Sequence, residues 1–229
     1  MEHHYYLINE LLAKFGLGHF AHDYETVTHS WLVILIMVIS FAILARGIKL
    51  LPSSSQSFLE FVVGSLENFM VEITGPEGRA FFPFIATIFL YIFLCNLLGL
   101  VPGFISPTAN PNTTVALALV TFVYTHYLGI KHHGFKYIKH FLGPIWYIAP
   151  IMFFIEIIGH LARVMSLSIR LFGNIFGKEK VLGILFALWG LYLVPLPIMF
   201  LGLLVSFVQA LVFMLLATVY FAGAMEEAH

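Results

Sequence analysis

The 229-residue chain is short of charge and nearly without cysteine. Charged residues make up 10% of it, against about 25% in a soluble domain. Too little polar surface remains to coat a water-soluble globule. The formal net charge is -1, so the basic face that nucleic-acid binders need is missing and no nucleic acid is expected. The one cysteine, Cys95, lies in an apolar run and has no partner for an intrachain disulfide; it reads as a small buried hydrophobe. The N-terminus, MEHHYYLINE, has no basic region ahead of an apolar stretch, so no cleavable signal peptide is expected. Motifs of soluble chemistry are absent too: no HExxH, no CxxC and no nucleophile elbow. Gly173 to Lys178 has three residues between its glycines where a phosphate-binding loop has four, and Glu179 stands where Ser or Thr would hold magnesium. No metal and no cofactor are expected. The triplet Asn112-Thr113-Thr114 fits a glycosylation acceptor, but so short a motif carries no weight.

What the chain does have is hydrophobic length. It is 60% hydrophobic, with a mean hydropathy of +0.95. A spanning helix needs about 20 mostly apolar residues. Ser30 to Ala45 is one candidate, followed by Arg46 and Lys49. Phe81 to Val101 is a second, ending at Pro102-Gly103, and Thr113 to Ile130 is a third. Between the last two, Phe104 to Asn112 reads as a tight connection, rich in turn-formers and without charge. A basic, His-rich loop then runs from Lys131 to His140. Pro144 to Phe176 is too long for an upright helix and must tilt, bend or protrude. The polar patch Lys178-Glu179-Lys180 follows it. Val181 to Ala224 is again too long, and Pro195 and Pro197 should break or kink it.

The expected fold is an all-α integral membrane protein in one membrane domain, residues 1–229. About five membrane-embedded helices are joined by one surface or amphipathic helix. Residues 1–29 form an external segment and 30–143 the first three spans with their connections. Residues 144–229 form a hairpin of two long tilted helices, the second interrupted. The connecting helix lies between Pro52 and Arg79, where Phe58, Phe61, Val62, Leu66, Phe69 and Ile73 recur at helical spacing. A helix lying on the membrane surface or a partner and a packed connector both fit that pattern. Arg46, Lys49, Lys131, Lys136 and Lys139 fall on one side if the spans alternate. The positive-inside rule makes that side cytoplasmic, with the N-terminus outside and the C-terminus inside. Lys178 and Lys180 then lie on the outside, against the rule.

Ionisable groups inside an apolar helix are expensive and are functional hypotheses by default. An arginine at a helix centre costs about 2.5–3.5 kcal/mol on insertion scales, and Arg170 cannot escape by deprotonating. Glu156, Arg163 and Arg170 are seven residues apart and share a helix face. His160 lies four after Glu156, and Asn174 four after Arg170. Such a stripe points to a wet groove or a polar partner. A structural salt bridge between Glu156 and Arg163, or a snorkelling arginine, is the plainer alternative. For Arg170 the alternative is weaker, because no acidic residue lies within a turn of it. Its counter-charge must come from another helix or another chain. Gly173 and Gly177 fit a small-xxx-small pattern that lets helices approach. Gln209 sits inside the last apolar run, either as a simple interhelical hydrogen-bonder or as part of the site.

Three segments carry a family resemblance. SLSIRLFGNIFGKE, Ser166 to Glu179, resembles the signature of subunit a of the rotary ATP synthase membrane sector, of bacterial type. FLCNLLGLVPG, Phe93 to Gly103, resembles an earlier helix end of that family, and VQALVFMLLATVYFAGAMEEAH resembles its C-terminus. The resemblance implies a multi-pass protein of the bacterial inner membrane. Its partners would be a ring of c subunits, the b subunits of the peripheral stalk, and lipid. It implies two offset half-channels that pass a proton, or less readily sodium, to a ring carboxylate and away from it, coupling the ion gradient to rotation and ATP synthesis. By this resemblance Arg170 faces the ring carboxylate, and Asn174 and Gln209 line the polar surface near it. Glu179 belongs to the outer half-channel, while Glu156 and His160 belong toward the inner one; Arg163 is a further proton-pathway residue. The chain would do no catalysis alone. Two positions depart from many relatives: Lys178 where they carry a small residue, and Gly202 where they carry an ionisable one. We expect Lys178 to supply the missing cationic partner to Glu179. A stand-alone channel or transporter is the rival reading; it predicts an internal repeat that the sequence does not show.

Overall fold

The computed structural model describes residues 24–46, 54–134, 149–189 and 194–225. Among them there are helices and no strands. We number the helices α1 (Glu25–Arg46), α2 (Ser54–Thr74), α3 (Phe82–Leu98), α4 (Pro111–His133), α5 (Ala149–Trp189) and α6 (Pro195–Met225). Short 3-10 turns at Pro76–Ala80 and Pro107–Ala109 precede α3 and α4.

Each boundary has a local cause. Pro111 opens α4 in the first turn, where a missing N–H costs nothing, and the Asn110 side chain caps it by accepting from the Asn112 backbone. Gly134, at φ 56, closes it. Pro195 opens α6 in the same way. That corrects the expected interruption: Pro195 and Pro197 start an unbroken 31-residue helix instead of kinking one. The chain does not turn at Lys178-Glu179-Lys180, which lies within α5. α5 runs through that polar patch to Trp189 because the chain itself supplies partners there. With 41 residues α5 is about 60 Å long, twice a hydrocarbon core of about 30 Å, so it tilts or protrudes as expected.

Four helices, α1, α4, α5 and α6, are long and apolar enough to cross a membrane. α3 is a 17-residue apolar helix of about 25 Å, just short of the core. The segment after it is no surface loop. Ser106, Pro107 and Thr108 are buried, and their turn packs on α5. The core lies among α3, α4, α5 and α6, with Ile85, Ile92, Leu171, Ile175, Phe213 and Phe221 almost fully buried. Phe221 meets Phe81 edge-on at 5.5 Å, and Phe84 stacks on Tyr124 at 4.2 Å.

α2 settles its two alternatives in part. Met70 is buried, Leu66 packs on the core, and the helix lies against α6. Yet Phe61, Val62 and Phe69 of the expected apolar face are exposed. The starts of α1 and α4 meet, with Asn110 Nδ2 donating to Thr26 Oγ1 at 3.1 Å. Arg46 and Lys131 end those two helices, as alternating spans require. Lys49, Lys136, Lys139 and most of the external segment lie outside the described residues.

Candidate functional site

α5 has two unlike faces. Leu167, Ser168, Leu171, Ile175 and Leu182 are buried against the other helices. On the opposite side Ile169, Arg170, Gly173, Gly177 and Ile184 are exposed. Only 11% of the helix's apolar span is buried within the chain, so lipid or another protein must cover the rest. Ser168 Oγ lies 3.0 Å from Thr114 Oγ1 of α4, which fixes the rotation of α5 two residues before Arg170. Arg170 therefore points away from the bundle, and among the described residues it makes no ion pair or hydrogen bond. A Cβ added at Gly173 or Gly177 would meet nothing, so the strip beside the guanidinium is low and open to close approach.

One turn on, Asn174 Nδ2 donates to Gln209 Oε1 at 2.8 Å and ties α5 to α6. Beyond it lies a dense polar network. Lys178 Nζ donates to the Asn96 carbonyl and to Ser206 Oγ, both at 3.0 Å. The Ser106 backbone N–H donates to Glu179 Oε1 at 2.7 Å. Ser106 Oγ lies 2.7 Å from Thr108 Oγ1, which donates to Asn96 Oδ1 at 2.6 Å. Asn96 Nδ2 reaches the Ser206 carbonyl at 3.4 Å. Glu179 and Lys178 thus sit at two ends of one connected set of hydrogen bonds.

Two glycines make room for them. A Cβ at Gly99 would come within 2.7 Å of Ser106 Cβ and 3.3 Å of Glu179 Oε1. A Cβ at Gly202 would come within 2.7 Å of Leu100 Cδ2 and 3.2 Å of Lys178 Cδ. The aliphatic stem of Lys178 therefore passes over Gly202.

A second cluster lies on the other side of Arg170. His160 Nε2 is 3.3 Å from Glu156 Oε1. The His160 ring meets His126 of α4 at 4.8 Å, and Arg163 sits over the Tyr220 ring at 5.7 Å. A cavity of about 20 Å3 opens between them, lined by Thr121, Thr125, His160, Arg163 and Tyr220 among others. Along the helix axis this cluster lies about 15 Å from Arg170 and Glu179 about 14 Å the other way.

One pairing offered as an alternative, Glu156 with Arg163, and one expected pairing, Lys178 with Glu179, do not form among the described residues. Glu156 turns to His160, and Arg163 takes the aromatic face of Tyr220, so their mutual salt bridge is absent among the described residues. Lys178 does not pair with Glu179: its ammonium reaches across to α3 and α6, while the carboxylate takes a backbone N–H. Asn174 and Gln209 do come together. Sequence reasoning missed Asn96, Ser106, Thr108, Ser206 and His126. A lone Asn within FLCNLL was a usable signal; the hydroxyls of the connecting segment were not, because such residues are ordinary in turns.

A family model of the ATP synthase A chain matches residues 27–222. The chain belongs to the ATP synthase A chain family. It is 54% identical over 229 residues to the ATP synthase subunit a of Desulfosudis oleivorans, covering 100% of both chains. The subunit a of Syntrophobacter fumaroxidans is 52% identical over 240 residues, again with 100% of each covered. That of Trichlorobacter lovleyi is 57% identical over 205 residues, covering 90% of this chain and 89% of the relative. Family membership and the four long apolar helices together make it a multi-pass membrane protein.

Proposed function

We propose that this member of the ATP synthase A chain family passes protons, rather than sodium, along two offset half-paths beside a rotating ring of small acidic hairpins. It does no catalysis alone and serves as the stator's ion channel in the membrane sector. The observation that carries the reading is Arg170, exposed and without an ion pair among the described residues. A ring carboxylate about 4 Å from it would be attracted by about 4 kcal/mol at an effective dielectric of 20. That favours the ionised carboxylate and release of its proton. Away from Arg170, desolvation by lipid favours the neutral, loaded form. The fixed cation also repels a passing one, so it opposes a leak between the half-paths.

The axial separation of the two clusters supports the offset. The outer path uses Asn174, Gln209, Lys178 and Glu179; the inner one uses Arg163, His160 and Glu156. Lys178 acts there as an anchored cation over Gly202, not as a direct partner of Glu179. The b subunits of the peripheral stalk hold the chain beside the ring in the bacterial inner membrane. The N-terminus lies outside and the C-terminus in the cytoplasm.

The test uses the complete synthase in proteoliposomes. Arg170→Ala should lower ATP synthesis driven by an imposed proton gradient by roughly a hundredfold or more, the scale of losing one preorganised charge partner. A sodium gradient alone should drive none in either form. A cysteine at Gly173 should cross-link to the ring. Synthesis retained in Arg170→Ala, or a chain that purifies without an acidic ring and conducts alone, would overturn the reading.

A further inference from the structure

The α4–α5 contact holds a titratable side chain that the motif around Arg170 does not include. His126 projects from α4 and is half-buried. Its ring packs edge-on against Phe122 at 4.2 Å and against His160 at 4.8 Å, with an interplanar angle of 66° in the second case. Phe122 also meets His160, at 5.8 Å. The two imidazoles thus share one aromatic wall and meet edge to face. Glu156 Oε1 lies 3.3 Å from His160 Nε2. The neighbouring cavity of about 20 Å3 has room for one water.

We propose that His126 is a further ion-pathway residue, exchanging protons with His160 and Glu156 across the α4–α5 contact, on the membrane side where α4 ends in Lys131, His132 and His133. This rests on the translocation reading above. An imidazole accepts a proton at one ring nitrogen and releases one from the other, so each transfer forms one N–H or O–H bond and breaks another. Among the described residues, these charged and titratable groups flank the pair. α5 contributes Glu156 and Arg163, and α6 contributes only Tyr220. On α4, Tyr124 turns to stack on Phe84 and Tyr127 is largely exposed. Arg163 disfavours two imidazolium rings at once, while Glu156 stabilises one. These charges favour one shared proton over two on the pair.

The complete synthase in proteoliposomes tests this, by ATP-driven proton pumping as the pH of the ATP-side compartment is varied. His126→Gln should slow pumping roughly tenfold and flatten its response between about pH 6 and 8, because the amide cannot titrate. His126→Glu, which can, should recover most of the rate with a displaced profile. A wild-type rate and profile in His126→Gln would overturn the proposal. So would a loss that His126→Glu does not rescue, which marks a packing role. Wild-type vesicles that pump no protons, or an Arg170→Ala synthase that pumps normally, would instead overturn the translocation reading. With wild type active and Arg170→Ala dead, an unaltered His126→Gln removes the relay alone.

Discussion

Arg170 has a polar cluster on either side of it along α5, and the two are built differently. The one around Lys178 and Glu179 draws on four elements, α3, the Pro107–Ala109 turn, α5 and α6. It is knit by backbone and hydroxyl hydrogen bonds of 2.6–3.4 Å. Asn96, Ser106, Thr108 and Ser206 within it are essentially fully buried. The one around His160 rests on ring contacts, a carboxylate at 3.3 Å and a small cavity. Dense networks of satisfied groups fix geometry, whereas imidazoles beside open volume leave room for a proton to move. The same helix thus carries a rigid charge site and a looser titratable one. Between them is a charge with no partner of its own among the described residues.

If the first cluster is rigid, added volume should hurt it most. Gly99→Val should cost about 1–3 kcal/mol or more, because even the added Cβ would come within 2.7 Å of Ser106 Cβ and 3.4 Å of Ser106 Cα, which move only with the backbone. A lowered thermal midpoint of the membrane sector and weaker retention of the chain in the purified synthase would register this. An unchanged midpoint would show that the network yields.

A smaller effect should follow from removing the anchored cation. Lys178→Ala leaves the Asn96 carbonyl and Ser206 hydroxyl one donor short, at about 1–3 kcal/mol. It should also shift the pH dependence of gradient-driven synthesis. The space over Gly202 opens with it, so Gly202→Ala should be better tolerated in the Lys178→Ala background than alone, by about 0.5–3 kcal/mol in a double-mutant cycle. Strict additivity would mean that the stem of Lys178 does not fill that space.

The least effect belongs to the looser cluster. Tyr220→Leu removes the ring under Arg163 and should cost only about 0.5–1 kcal/mol, a shift at the edge of detection in the same melting assay. A loss as large as that of Gly99→Val would erase the contrast between the clusters.

The sequence alone determined the class, an all-helical membrane protein, and singled out Arg170 as a costly charge. Each rests on a property of single residues or of short windows: apolar length, low charge, and the cost of a guanidinium with no acidic neighbour within a turn. The heptad spacing of Glu156, Arg163 and Arg170 was legible for the same reason, since helical geometry is local. Which groups actually pair was not legible. Glu156 and Arg163 share a helix face but stand about 10 Å apart along it, and His160 and Tyr220 offer nearer partners. Lys178 and Glu179 adjoin in sequence but leave the helix in different directions, one toward Asn96 and Ser206 and the other toward Ser106. Only the tertiary structure decided those pairings, because Asn96, Ser106, Ser206 and His126 reach α5 from segments 28 to 82 residues away. Hydrogen bonds and ring contacts depend on distances of a few ångströms between such segments, which no pattern along one of them encodes.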